Sequence, residues 1–169
     1  IVTFPELLKD RGFFTAAISA NPFFGGRFQY DQGFDRMVEL FYQNPVVTAD
    51  QFLEPFGRLL EERGEKPFFI ALHFREPHAP YRASTPFLGR FHNGSGSLSL
   101  EEKERMDRIY LGKEVLPAGY GILKDVYDEN LAFADQVIGE IVDQLREREL
   151  LDETVIAVLA DHGEGLGEH

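Results

Sequence analysis

Thr154-Val155-Ile156-Ala157-Val158-Leu159-Ala160 runs directly into Asp161-His162-Gly163-Glu164-Gly165-Leu166-Gly167-Glu168-His169. The first seven residues are nearly all apolar and rich in β-branched side chains, which suits a central strand of a parallel sheet covered on both faces. Charge begins where the strand is expected to stop. In open α/β sheets ligands gather just beyond the carboxyl ends of the strands, so Asp161 and His162 are expected to project where a site forms. An aspartate and a histidine in succession offer a hard oxygen and an imidazole nitrogen, a pair suited to a divalent ion such as Zn, Mn or Ca. Gly163, Gly165 and Gly167 let the backbone turn tightly around such an ion. The same residues also fit a plainer arrangement, with Asp161 capping a turn and His162 and His169 as polar loop residues.

A second apolar run, Pro67-Phe68-Phe69-Ile70-Ala71-Leu72-His73-Phe74, also reads as a buried strand with polar residues at its end. Those residues are Arg75-Glu76-Pro77-His78-Ala79-Pro80-Tyr81, where each proline pushes the preceding Glu76 or Ala79 toward extended backbone. His73, within the strand or just after it, reads as a buried histidine satisfied by a neighbour. His78, on a loop at a strand end, stands where functional groups gather.

Asp-His-Gly-Glu-x-Leu-Gly-Glu-His after a hydrophobic strand resembles the C-terminal metal-binding signature of the sulfatases, within the alkaline phosphatase superfamily. The loop that holds His78 is similar to the sulfatase run Phe-Phe-x-x-x-His-x-x-Asp-Pro-His-x-Pro-Tyr, with Glu76 in place of aspartate. A weaker likeness lies in Tyr127, Asp135, Gly139 and Leu145, which match the family helix before its last metal-binding strand. At the other end, Leu7-Leu8-Lys9 with Gly12 and then Thr15-Ala16-Ala17 match the helix and strand that lead to the family's lysine and histidine anion contacts. Here those two positions fall on Ala20 and Pro22, and Asn21 between them is the candidate to donate an amide hydrogen bond to an ester oxygen. Asn21 also fits as a turn residue before proline.

The resemblance implies an α/β fold like that of alkaline phosphatase, with a mostly parallel central sheet, helices on both faces and strands near residues 13, 67 and 154. Asp161 and His162 are implied metal ligands. Calcium is the first expectation, with Mn, Mg or Zn as alternatives. His78 is implied to assist the leaving oxygen, while Glu164 is a candidate to orient His162 and His169 a candidate near the substrate. The implied reaction is hydrolysis of a small-molecule or glycan sulfate ester by a formylglycine nucleophile. That residue is made from Cys or Ser in Cys/Ser-x-Pro-x-Arg and is expected upstream of Ile1. Ser84-Thr85-Pro86-Phe87-Leu88 imitates the motif but has leucine where arginine belongs. The alternatives are a phosphodiesterase, a phosphonate monoester hydrolase or a phosphoethanolamine transferase of the same superfamily, and, in another class, a non-catalytic metal-binding or interaction domain.

Bulk composition agrees with a folded chain. Its 169 residues are 43% hydrophobic and 13% aromatic, enough for one domain with a real core. Seventeen basic against 29 acidic side chains give a net charge of −12, so no broad basic surface awaits nucleic acid or an anionic membrane. An anionic ester would need a local cation, which makes a metal physically sensible. No run is long enough to span a membrane, and the absence of cysteine excludes disulfides and thiolate metal sites within these residues. The chain starts at Ile1 without methionine and ends inside a polar motif, so it is expected to be a partial catalytic domain, inactive alone and holding metal poorly. Exposed strand edges or apolar faces are expected to follow. Compartment, cytoplasmic or extracytoplasmic, and oligomeric state are left open.

Along the rest of the chain, Thr3 to Gly12 has a capping threonine, an early proline and a closing glycine, which mark a short helix. Phe13 to Ala20 reads as a strand, and Phe23-Phe24-Gly25-Gly26 as an aromatic, glycine-rich loop before Gly33-Phe34-Asp35-Arg36. Thr48 to about Arg63 reads as a helix with Phe52, Phe56, Leu59 and Leu60 on one side and Pro55 delaying or kinking its start. Residues 82–121 read as an irregular insertion, a lid or a plain surface excursion, with a capping box at Ser99 and Glu102 and with Arg82, Arg105, Arg108 and Lys113 as solvated charges. The longest helix is expected over Ile122 to Arg148, with Tyr127, Leu131, Ala134, Ile138, Ile141 and Leu145 on its apolar face.

Overall fold

A computed structural model describes residues 1–42, 47–78, 87, 90, 91, 101, 104, 105, 108, 113, 114 and 121–166, with Ile122 as backbone. It divides into two compact units, Ile1–Arg75 and Glu76–His169.

The first unit is α/β. Its elements in order are α1 (Phe4–Lys9), β1 (Phe14–Ser19), β2 (Arg36–Glu39), α2 (Leu53–Glu62) and β3 (Phe68–His73). The strands form a parallel sheet in the order β2-β1-β3, so every residue of central β1 is buried. In register Thr15 faces Phe69 and Phe14 faces Phe68. Successive strand residues point to opposite faces. Phe4 of α1 meets Phe69 edge-on at 5.4 Å, and Arg63, just after α2, stacks on Phe68 at 5.4 Å. The two helices therefore cover opposite faces of the sheet, as expected.

Local chemistry explains each element. Thr3 caps α1 in a reciprocal box, its hydroxyl accepting from the Glu6 amide while the Glu6 carboxylate accepts from the Thr3 amide at 2.7 Å. Gly12 closes the helix in left-handed backbone, φ +84°. Before α2, a 3-10 turn over Ala49–Phe52 carries its own box between Thr48 and Gln51, and the α-helix begins at Leu53. Pro55 thus sits in the first α turn, where its missing N–H costs nothing, and it delays the regular start instead of kinking the helix. Phe52, Phe56, Leu59 and Leu60 are all buried. Each contributes roughly 1.5–3 kcal/mol of hydrophobic burial.

The four-residue strand β2 has no counterpart in the sequence reading, because Arg36-Met37-Val38-Glu39 is short and begins and ends in charge. It is positioned from its first turn. Asp35, just before it, accepts from the Thr15 amide at 3.0 Å and hydroxyl at 3.1 Å, and pairs with Lys9 Nζ at 2.7 Å. Gly33 makes the preceding bend with φ +88° and lies against α1: a Cβ there would stand 2.5 Å from the Glu6 amide nitrogen and 2.9 Å from Thr3 Oγ1. Gly33→Ala is therefore expected to destabilise the protein by about 2–3 kcal/mol, through left-handed strain and displacement of the α1 cap. Urea denaturation measures it, and a loss below about 0.5 kcal/mol would show that the bend absorbs a methyl group.

In the second unit, α3 (Gly121–Glu147) is the long helix predicted over 122–148. Its buried stripe follows Leu123, Val126, Asn130, Phe133, Val137, Ile141 and Leu145, with Ala134 beside it. Ala134, Ile141 and Leu145 match the predicted face, but Leu131 is exposed, so the stripe is rotated in the N-terminal half. Glu129 is buried at 1% exposure and, among the described residues, neither carboxylate oxygen has a hydrogen-bond partner, a cost the helix carries. Within 82–121, Arg105 and Arg108 are not simply solvated: both pair with Glu114, at 2.7 and 3.1 Å. The Ser99–Glu102 capping box and the Ser84–Leu88 imitation fall outside the described residues, except for Phe87.

The strand predicted over 154–160 is not part of the sheet. After a 3-10 turn at Leu151–Glu153, Thr154 has extended backbone, but 154–160 carry no strand pairing, and Val155, Val158 and Leu159 are 95%, 69% and 90% exposed. An apolar β-branched run prefers extended backbone but supplies only one side of a ladder. The segment carries the exposed apolar surface that the sequence reading expected.

Candidate functional site

Ligands of α/β proteins gather at the carboxyl end of the parallel sheet. With the order β2-β1-β3, the chain leaves β1 toward one side and later returns on the other, which puts the topological switch between the ends of β1 and β3. The two strands stay zipped to that point, the Ala20 amide donating to the His73 carbonyl at 3.0 Å. Asn21 follows immediately. Its side-chain Oδ1 accepts from the Phe23 amide at 2.9 Å, and Ser19 Oγ accepts from the Asn21 amide at 3.1 Å. The Asn21 oxygen is thus spent on its own turn, as the turn reading expected, while its amide nitrogen keeps its donor capacity.

His73 is half-buried, not buried, and Phe24 meets its ring edge-on at 5.0 Å. Phe24 also lies 5.1 Å from Tyr30, and Phe23 lies 5.8 Å from Phe28. Sequence reasoning recorded this segment only as an aromatic loop. The signal was available in its density of rings between the strand and Gly33-Phe34-Asp35.

The other candidates lie in the second unit. His78 is exposed, on the loop that follows the cis Glu76–Pro77 peptide. Asp161 and His162 are consecutive and open to solvent, with side chains 86% and 68% exposed. The Asp161 carboxylate accepts from the His162 amide at 3.1 Å, and its other oxygen stands 3.8 Å from His162 Nε2. His162 Nδ1 lies 2.7 Å from the Gly163 carbonyl, the usual orienting bond for a metal-binding imidazole, which leaves Nε2, on the Asp161 side, as the nitrogen able to bind an ion. That bond, with the charges of Asp161 and then Glu164, holds the imidazole pKa above its ordinary range. The orienting contact comes from the Gly163 carbonyl. His169 lies outside the described residues.

The donor set fits two positions of a divalent ion, one carboxylate oxygen and one imidazole nitrogen, with the ring already orientated. Among the described residues no group of three or more such side chains gathers to hold an ion, so further ligands would have to complete the shell. No helix among the described residues is long and apolar enough to cross a membrane.

Comparison with known proteins gives the family. The model of the sulfatase family matches residues 1–169. Choline-sulfatase from Rhizobium meliloti is 27% identical over 140 residues, covering 75% of this chain and 27% of that protein. Iduronate 2-sulfatase from Mus musculus is 26% identical over 158 residues, covering 74% and 29%. The chain thus spans less than a third of the length of these relatives. A solved structure from Vibrio parahaemolyticus, described as a protein of the alkaline phosphatase superfamily, superposes with a TM-score of 0.51 at 18% identity, covering 86% of this chain and 32% of that one.

Proposed function

Because the chain belongs to the sulfatase family, we propose that residues 1–169 are part of the catalytic domain of a metal-dependent sulfuric ester hydrolase, with 82–121 as an insertion within it. The observation that carries this reading is the exposed Asp161-His162 pair, with His162 Nδ1 held by the Gly163 carbonyl and Nε2 left as a donor. Asp161 Oδ and His162 Nε2 would hold the ion, calcium first among the candidates. A bound divalent cation would offset the ester's negative charge and lower the pKa of the nucleophile.

The net reaction breaks one sulfur–oxygen bond, water giving hydroxide to sulfur and a proton to the departing alcohol oxygen. His78, exposed on its loop, would donate the hydrogen bond or proton that the departing oxygen needs. The imidazole of His162 must be neutral at Nε2 to act as a ligand, so cation and proton compete for that atom. The nucleophile, formylglycine in this reading, is not among these residues.

One observation favours a second reading. By the motif resemblance Ala20 and Pro22 fall where sulfatases carry a lysine and a histidine, and the Asn21 oxygen is committed to its own turn. A phosphate or phosphonate ester is the alternative substrate. Both are tested by assaying the full-length protein against 4-nitrophenyl sulfate, 4-nitrophenyl phosphate and bis(4-nitrophenyl) phosphate, before and after EDTA. Sulfate release that stops with EDTA and returns with a divalent salt is the expected result. Turnover of the phosphorus esters alone would move the assignment to phosphoryl chemistry, and no turnover would leave a non-catalytic metal-binding domain.

A further inference from the structure

We propose that the aromatic cluster at the carboxyl ends of β1 and β2 is a membrane-docking surface whose occupant is the headgroup zone of a zwitterionic phospholipid bilayer. The cluster lies wholly in the first unit. β1 and β2 are parallel with Ser19 opposite Glu39, so the residues after each strand leave the sheet from the same end. After β1 come Phe23 and Phe28, 5.8 Å apart, and Phe24 and Tyr30, 5.1 Å apart. After β2 come Phe41 and Tyr42, 4.4 Å apart, and Phe41 reaches within 3.3 Å of where a Cβ of Gly25 would stand. Phe23, Phe28, Tyr30 and Tyr42 are 70%, 46%, 52% and 66% exposed. Water-facing rings gathered in one place mark an interaction surface, because burying them would stabilise the fold.

The surface is held in advance. Asn21 closes the first turn by accepting from the Phe23 amide at 2.9 Å, and Glu39, the last residue of β2, accepts from the Gly26 amide at 2.9 Å. Glycine is required at position 25, where a Cβ would collide with the Glu39 carboxylate. The rings are thus presented on backbone that does not have to order on docking, which lowers the cost of binding.

Area, ring chemistry and charge select the occupant. The four exposed rings offer roughly 450 Å², taking about 200 Å² for each aromatic side chain. That is short of the ~800 Å² per partner of a stable protein interface, including one with a second copy of this chain. A bilayer needs no complementary partner surface and takes up each ring separately. The two tyrosines join an apolar body to a hydroxyl that stays wet, the combination that settles at the level of lipid headgroups. Arg27 stacks on Phe28, 5.6 Å from the ring centre, and among the described residues it pairs with no carboxylate, although acidic side chains outnumber basic ones by 29 to 17. Its guanidinium is therefore available to a lipid phosphate at the rim of the cluster. The net charge of −12 opposes approach to an anionic leaflet, which leaves the zwitterionic surface.

The test is sedimentation of the full-length protein with phosphatidylcholine vesicles, and with vesicles that also contain phosphatidylglycerol. Binding to phosphatidylcholine, weakened by phosphatidylglycerol, is expected. Phe23→Ala and Tyr42→Ala are each expected to lower the partition coefficient about tenfold, since interfacial binding scales with the apolar area buried. Arg27→Ala lowers it as well, whereas Leu7→Ala, at an exposed position on α1 outside the cluster, leaves it unchanged. Phe23→Trp supplies a direct reading that does not depend on the alanine variants folding: bromine-labelled phosphatidylcholine should quench the added indole. No binding to phosphatidylcholine, binding only when phosphatidylglycerol is present, equal binding by both alanine variants, or an indole that is not quenched would each overturn the proposal. A dimer on gel filtration that Phe23→Ala dissolves would assign the surface to a second copy and overturn it too.

Discussion

Asp161→Ala or His162→Ala in the full-length protein is expected to lower sulfate-ester turnover by roughly a thousandfold, the scale on which removing one strong electrostatic stabiliser acts. Both side chains are mostly solvent-exposed, so the circular dichroism spectrum and the denaturation midpoint of the metal-free protein should not move, while any stabilisation by added divalent metal should be lost. Asp161→Asn is the finer probe. It keeps an oxygen that can accept from the His162 amide but loses the charge, so its turnover should fall between the natural protein and Asp161→Ala. Bound divalent metal, measured by plasma mass spectrometry after gel filtration, should fall in the same order. A variant at either position with natural turnover and natural metal content would remove the pair from the site.

The second large effect concerns stability and its dependence on pH. Asp35→Ala is expected to cost about 2 kcal/mol, because the fully buried Thr15 amide loses the carboxylate that accepts from it, while the Thr15 hydroxyl keeps the Gly33 carbonyl at 2.8 Å and the partly exposed Lys9 pair adds little. Burial works to raise the Asp35 pKa, but the Lys9 hydrogen bond and the two Thr15 donors outweigh it and hold the carboxyl below the ordinary aspartate range. The sign follows by linkage. A carboxyl depressed in the folded state contributes stability that is complete above its unfolded pKa, about 4, and is lost as pH falls through the lower folded value. Urea denaturation at neutral pH and at pH 3 should show Asp35→Ala closing part of its gap to the natural protein in acid. A gap that stays constant or widens would mean that the charge of Asp35 does not link α1, β1 and β2.

Sequence signals that act within a few residues were legible. The Thr3 and Gly12 caps, the runs of β1 and β3, the buried side of α2 and the long period of α3 depend on local hydrogen bonds or on a repeat that any helix must follow. The Asp-His pair and the Pro-His loop can be proposed from sequence for another reason: the chemistry proposed for them is carried by consecutive residues. The rotation of the α3 stripe away from Leu131 was not, because several registers of one helical pattern contain apolar residues and only packing selects among them.

The sequence by itself determined that this chain is α/β, that its apolar runs end in polar loops, and that Asp161, His162 and His78 are the residues to test. The tertiary structure decided what depends on a distant partner. It made a strand of Arg36–Glu39 by pairing that segment with β1 and clamping it through Asp35, and left 154–160 outside the sheet although that run is more apolar. It also gathered Phe24, Tyr30 and His73 at one end of the sheet. Propensity sets the backbone a segment prefers, but a strand exists only when a neighbour completes its hydrogen bonds, and a ring cluster only when separate segments meet.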